Sequence, residues 1–231
     1  MDSNDVRRQW AERSGEYSPE YYAYYGPNET SDVILRTLER FVDRTAPVLE
    51  LGCSSGRHLS HLYENGFDSP VGIELNADAF DVMADHYPDL AADGEFYHAA
   101  IEDVVREFDD DQFGAVYSVE TLQHLHPDAE WVFEELVRIT DDLLITVENE
   151  GELERDATDQ SDTERSDLER NATGHAEPTE PEDVSYVNDD FPLYYRDWSA
   201  IFTELGFDEV DVQTGKRDTI RTFRPAAASD R

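Results

Sequence analysis

Cysteine and lysine are almost absent from this 231-residue chain: Cys53 and Lys216 are the single examples of each. One cysteine excludes an intramolecular disulfide framework. Apolar runs are short, and none approaches the ~18 residues that a membrane-crossing helix needs. The opening MDSNDVRRQW carries no apolar stretch of the kind a secretory leader uses. The expectation is a soluble, cytoplasmic protein without membrane association. Positive charge is scarce as well, with 18 Lys and Arg against 55 Asp and Glu and a formal net charge of -37. That lies far beyond the ~2–8 of an ordinary small domain. The acids run along the whole chain, which argues against one docking block for a basic partner. Carboxylates hold water and hydrated cations, and salt near 1 M shrinks the Debye length to ~3 Å. The composition therefore points to a salt-rich cytoplasm, as in halophilic archaea. A surface of this sign repels nucleic-acid backbones, so a small-molecule substrate is the expected partner. Arg217, Arg221 and Arg224 form the one tight basic cluster and read as offsets to nearby acids.

What the chain does have is a compact turn between a strand and a helix. Val48 to Leu59 reads VLELGCSSGRHL: an apolar run ending at Glu50, a turn with Gly52 and Gly56, then an amphipathic helix through His58, Leu59 and Leu62. Strand, glycine turn and helix begin a nucleotide-type α/β unit, with the helix N-terminus aimed at the ligand above the sheet. The spacing is a poor match to the dinucleotide pattern G-x-G-x-x-G. Read literally, Gly52 to Gly56 is also G-x-S-x-G, the α/β-hydrolase elbow with Ser54 as nucleophile. Only about one helix of sequence precedes this strand, whereas an elbow normally follows several strands. The late histidine a hydrolase would need is His175 alone.

Further features follow in order. Pro70 to Leu75 (PVGIEL) reads as a second buried strand ending at Glu74, whose two carboxylate oxygens suit a ribose diol. Glu95 to Ala100 reads as a third strand and runs into Ile101-Glu102-Asp103. Phe113 to Ser118 (FGAVYS) reads as a fourth, continuing through Val119, Glu120, Thr121 and Leu122 to His124 and His126. The turn E-x-G-x-x-x-G and these downstream segments resemble the class I S-adenosylmethionine-dependent methyltransferases, of the type 11-like domain. The resemblance covers about Thr30 to Val147 firmly and the last 40 residues loosely. The chain departs from the pattern at Ser54, where a middle glycine often lies, and at Gly114, where an Asp is usual. A small residue at position 54 still permits close backbone approach.

The resemblance implies S-adenosylmethionine as methyl donor and a Rossmann-like fold, a doubly wound, mostly parallel seven-stranded sheet with helices on both faces. It implies cofactor contacts at Glu50, Gly52, Cys53, Ser54, Gly56, Glu74, Leu75, Ile101, Glu102, Ser118 and Val119, with Asp103 the alternative to Glu102 at the adenine. Cys53, at a helix N-terminus, reads either as a thiol of lowered pKa or as a small residue in a tight turn. A protein that binds the donor without transferring its methyl group stays open beside the enzyme.

Organisation follows from pattern. Residues 1–29 form an aromatic-rich extension with Tyr17, Tyr21, Tyr22, Tyr24 and Tyr25. Residues 30–147 form the cofactor-binding core, opened by a helix over Thr30 to Arg44 with Ser31 as N-cap and closed by a fifth strand over Leu143 to Val147. Residues 148–190 lose the apolar pattern and read as an acidic insertion, either a lid or a surface loop. Residues 191–231 complete the core with a helix over Tyr194 to Leu205 and an antiparallel hairpin, Phe207 to Gln213 and Thr219 to Phe223. Methyl transfer is an in-line displacement that needs alignment above all, and a hydroxyl acceptor also needs a base. His124, just past the fourth strand, is the candidate base; His126 precedes Pro127 and reads as a cap. Tyr21, Tyr22 and Glu120 are the candidates for facing the acceptor. His124-x-His126 has no further ligands at suitable spacing, and no metal site is expected.

Overall fold

The computed structural model describes residues 2–151, 184–187, 191–215 and 217–227. The acidic insertion expected between residues 148 and 190 lies largely outside the described residues. Two helices come first, α1 (Ser3–Ala11) and α2 (Pro19–Tyr25), capped by the Asp2 and Ser18 side chains. The long helix α3 (Glu29–Phe41) starts one residue earlier than its apolar face suggested. Asn28 is its cap, and Ser31 closes a reciprocal capping box: the Ser31 amide donates to Asn28 Oδ1 at 3.2 Å, and the Asn28 amide donates to Ser31 Oγ at 3.0 Å.

The α/β body follows as β1 (Val48–Leu51), α4 (Arg57–Glu64), β2 (Pro70–Glu74), α5 (Asp78–His86), α6 (Pro88–Asp93), β3 (Glu95–His98), α7 (Ile101–Val104), β4 (Phe113–Val119), α8 (Trp131–Ile139) and β5 (Thr140–Glu148). Asn76 Oδ1 accepts from the Asp78 amide at 3.0 Å as α5 begins, and Gly66 takes φ 89° just past the end of α4. A short hairpin, β6 (Val184–Val187) and β7 (Phe191–Tyr194), stands apart as its own two-stranded sheet. Sequence pattern missed it, because two four-residue strands carry too little periodicity to register. The last helix, α9 (Trp198–Glu204), starts four residues later than expected, since Tyr194 ends β7 and Asp197 caps the helix at the Ala200 amide. The chain closes with β8 (Phe207–Thr214) and β9 (Thr219–Pro225).

The main sheet has seven strands in the order β3-β2-β1-β4-β5-β9-β8. The pairings from β3 to β5 are parallel, and β9 runs antiparallel to both β5 and β8. This is the doubly wound, mostly parallel sheet that the strand–helix alternation implied. Period-two alternation sends side chains to two layers. Leu49, Leu51, Ile73, Val116 and Leu144 pack with α8 and α9 through Phe133, Leu136, Trp198 and Phe202. Val48, Ala115, Tyr117, Leu143 and Ile145 pack with α3 and α4 through Ile34, Leu38, Leu59 and Leu62. Gly114 belongs to this close packing, because a Cβ there would sit 2.6 Å from Ala46 Cβ. Its departure from an Asp is thus a steric fit.

Beyond β1 the strands step one way to β2 and β3, and from β4 they step the other way. This reversal opens a crevice at the carboxyl ends of β1 and β4.

Candidate functional site

The crevice is a cleft of about 1140 Å³ including its open mouth. Its floor is the turn after β1. Gly52 takes φ 67°, and a Cβ there would lie 2.4 Å from Thr121 Oγ1. Ser54 also takes positive φ, 48°, a conformation that costs a non-glycine residue roughly 1–2 kcal/mol. Glu74 locks that turn: Oε2 accepts from the Ser54 amide at 2.8 Å, and Oε1 from the Leu75 and Asn76 amides at 2.7 Å. Burial pushes the Glu74 carboxyl up while the three amides pull it down. A carboxylate offers about four acceptor positions, so one remains for a ligand.

Glu50 is 1% exposed and lines the cleft, with Tyr117 Oη donating to its Oε2 at 3.0 Å. Burial outweighs that bond and raises its pKa to about 8. Cys53 lines the cleft as a small buried residue. Burial and the Glu74 carboxylate raise its thiol pKa well above the ordinary value, which favours the small residue in a tight turn over the activated thiol. Its Sγ occupies the space beside Gly72, where a Cβ would approach to 2.6 Å.

Leu75, Ile101, Glu102, Val119 and Glu120 line the same cleft. Glu102 has a side chain 10% exposed in the cleft wall, whereas Asp103 is 61% exposed and outside it. Gly56 and Ser118 do not line the cleft. Gly56, at φ 81°, serves as the turn into α4 and packs against Leu90 and Met83. Ser118 faces away, donating to Glu148 Oε1 at 2.6 Å. Of the speculative acceptor residues, Tyr22 and Glu120 line the cleft and Tyr21 does not; Tyr21 packs instead against Tyr17, Tyr22 and Tyr25. Glu120 itself sits in a left-handed conformation, φ 51°, and pairs with Arg217. Burial raises its pKa, with Asp218 adding to the effect.

His124 lines the cleft from the turn beyond β4. Its Nδ1 lies 2.9 Å from the Pro192 carbonyl, which accepts only, so Nδ1 carries the proton and Nε2 keeps its lone pair. Burial lowers its pKa to about 4. His126 caps the next turn as expected, its Nδ1 accepting from the Asp128 amide at 3.2 Å.

Several site residues carried no strong signal in the sequence. Glu148, assigned to the insertion, is the fully buried end of β5. It accepts from Ser118 Oγ and from the amides of Thr121, Leu122 and Gln123, holding the turn that presents His124. Trp10, Arg7, Arg13 and Tyr17 bring the N-terminal segment over the cleft. Arg7 on α1 binds Glu102 Oε1 at 3.1 Å and Asp103 Oδ1 at 3.1 Å. Arg57, in plain view after Gly56, lies with its guanidinium 4.6 Å from the Tyr22 ring centroid. Its one available hint was electrostatic: a cation in the first turn opposes the helix dipole.

Residues 48–142 match a family model described as a methyltransferase domain. This segment is similar to methyltransferase domains. It spans β1 to the start of β5 and contains the whole floor of the cleft. No curated protein sequence matches the chain. Among solved structures, a protein from Pyrococcus horikoshii OT3 superposes with TM-score 0.59 and 16% identity, covering 92% of this chain and 100% of that one. A putative S-adenosylmethionine-dependent methyltransferase from Listeria monocytogenes gives 0.58 and 16%, covering 85% and 98%. Magnesium protoporphyrin IX methyltransferase from Synechocystis PCC 6803, solved with bound S-adenosylmethionine, gives 0.57 and 13%, covering 96% and 90%. These likenesses establish the fold. S-adenosylmethionine is the donor that the methyltransferase domain implies, and the residues present fit it. The cleft offers a glycine turn of close approach, a strand-tip acid with a remaining acceptor position, and a buried acid beside apolar Ile101 and Leu75.

Proposed function

We propose that the chain is an S-adenosylmethionine-dependent methyltransferase acting on a small molecule. The observation that carries the reading is the clustering of Glu50, Glu74, Glu102 and the Gly52–Ser54 turn around one cleft at the reversal of strand order. In this reading Glu74 and Glu102 hold the ribose and adenine of the donor, and Ile101, Leu75 and Val119 flank the base. When bound, the donor supplies an electrophilic methyl group. The chain contributes alignment and exclusion of water, the main needs of an in-line displacement. His124, neutral at physiological pH with Nε2 as acceptor, is assigned to orienting the nucleophile; a pKa of about 4 makes it a poor proton acceptor there.

The hydrolase reading loses support. The Ser54 amide is engaged by Glu74, and among the described residues no histidine bonds Ser54 Oγ. His58, the histidine nearest in sequence, is committed to Ser31 Oγ at 2.8 Å and Arg57 Nε at 3.2 Å. His175 lies outside the described residues.

Titration calorimetry with S-adenosylhomocysteine tests the donor site. One site is expected, weakened at least tenfold by Glu74→Ala. Absence of binding in the unmodified chain would remove the methyltransferase reading. Unchanged affinity in the variant would remove only the ribose assignment. A methyl-acceptor screen then separates an enzyme from a protein that merely holds the donor.

A further inference from the structure

The acids of the cleft are largely accounted for, while three of its hydrogen-bond donor groups are not. Glu102 is paired with Arg7, and Glu120 with Arg217. Glu74 is held by three backbone amides. Glu50, with a pKa of about 8, is mostly uncharged near neutrality. By contrast, Arg13 and Arg57 line the same cleft half-buried, and neither forms an ion pair among the described residues. Arg57 donates through Nε to His58 Nε2, and Arg13 through Nε to the Glu16 carbonyl at 2.7 Å. The terminal nitrogens of both guanidiniums have no hydrogen-bond partner among the described residues. Trp10, also in the lining, leaves its buried indole N–H without a partner among the described residues. In a chain with 55 acids against 18 bases, two cleft arginines in no direct ion pair among the described residues stand out, although the Arg57 charge is felt by Glu50 and Glu120. Arg57 moreover opposes the dipole of its own helix, so helix stability does not explain its position.

The walls around these donors are flat and apolar. The Arg57 guanidinium lies 4.6 Å from the Tyr22 ring centroid, and the Arg13 guanidinium 5.6 Å from the Tyr17 ring centroid. Trp10 packs against His124 with centroids 4.6 Å apart. Resting on the donor reading above, we propose that the methyl acceptor is a small planar carboxylate, its anionic group held by Arg57 and Arg13 and its flat body lying against Tyr22, Tyr17 and Trp10. A guanidinium fork matches a carboxylate in two parallel hydrogen bonds. A monoanion suits the cleft better than a dianionic phosphate, because four glutamates already line it.

The test uses the full chain in a single molar-salt buffer. S-adenosylhomocysteine is titrated first, so that failure of the donor reading shows separately. The saturated complex is then titrated with salicylate, with its neutral counterpart salicylamide, and with phenyl phosphate. Salicylate is expected to bind at least fivefold tighter than either. That preference should vanish in Arg57→Gln, with S-adenosylhomocysteine affinity changed less than twofold. Arg13→Gln is expected to weaken salicylate as well, and loss of S-adenosylhomocysteine rather than salicylate in that variant would overturn the part given to Arg13. Equal affinity for salicylate and salicylamide, no salicylate binding, or a preference for phenyl phosphate would each overturn the proposal. So would an Arg57→Gln variant that loses the donor and salicylate equally. Thermal melting of both variants against the unmodified chain distinguishes a lost site from a lost fold.

Discussion

Glu50 and Glu148 are carboxylates enclosed by the sheet and its loops, and burial governs both. Glu148 has four donors around it and Glu50 accepts from the Tyr117 hydroxyl, yet desolvation raises their pKa values to about 7 and about 8 from an ordinary 4.5. The folded state thus holds these two protons more tightly than the unfolded chain. With more protons bound in the native state, stability is greatest below the unfolded value and declines as pH rises from about 4.5 towards 8. Each group can cost up to about 1.4 kcal/mol per pH unit inside its window. Glu50→Gln keeps an acceptor for Tyr117 and cannot ionise. Urea melts across that window are expected to show a flatter decline in this variant. An unchanged slope would mean that Glu50 is already ionised in the fold. Ser54 is a second residue-scale cost, a serine in a left-handed turn that the Glu74 bond to its amide helps to hold.

At the scale of elements, α1 is attached to the body by few contacts that do different jobs. Val6 is its one buried residue, and Arg7 supplies the polar link to Glu102 and Asp103. The Asn76 side chain adds a hydrogen bond to the Arg13 carbonyl at 3.1 Å just beyond the helix. With one buried apolar residue and a single partly buried cation linking it to the body, α1 sits at the low-stability end of the fold. Arg7→Ala is expected to speed amide hydrogen exchange across residues 3–11 severalfold while leaving β1 and β4 unchanged. Equal protection in the variant would assign the docking of α1 to Val6 and Trp10 instead. The same variant leaves Glu102 without its cation, which makes α1 a direct neighbour of the adenine acid in the donor reading. The turn beyond β4 depends on β5 in a comparable way: three successive amides are held by Glu148, and His124 inherits its position from them.

For the whole molecule, charge is the dominant condition. Many arginines are spent on carboxylates, including the C-terminal cluster: Arg217 with Glu120 and Asp218, Arg221 with Glu150 and Glu209, and Arg224 with Asp142. These pairings accord with the reading of that cluster as an offset to nearby acids. With 55 acids against 18 bases, carboxylates far outnumber cations, and their mutual repulsion acts against the compact state when counterions are withdrawn. Melting temperature should rise markedly between dilute buffer and molar KCl. A flat profile would turn attention back to a basic partner as the reason for the acidity. The alternation of strands and helices, the turn after β1 and the acids at positions 50 and 74 were determined by the sequence alone. Local periodicity, glycine placement and the end of a strand are properties that a few consecutive residues express. Only the tertiary structure decided the rest. It placed Glu102 rather than Asp103 in the cleft, turned Gly56 and Ser118 away from it, made Glu148 a buried anchor and folded the N-terminal segment over the site. Each of those outcomes depends on residues distant in the chain, such as Arg7 with Glu102 or Glu148 with Thr121, and no local pattern records which distant partner arrives.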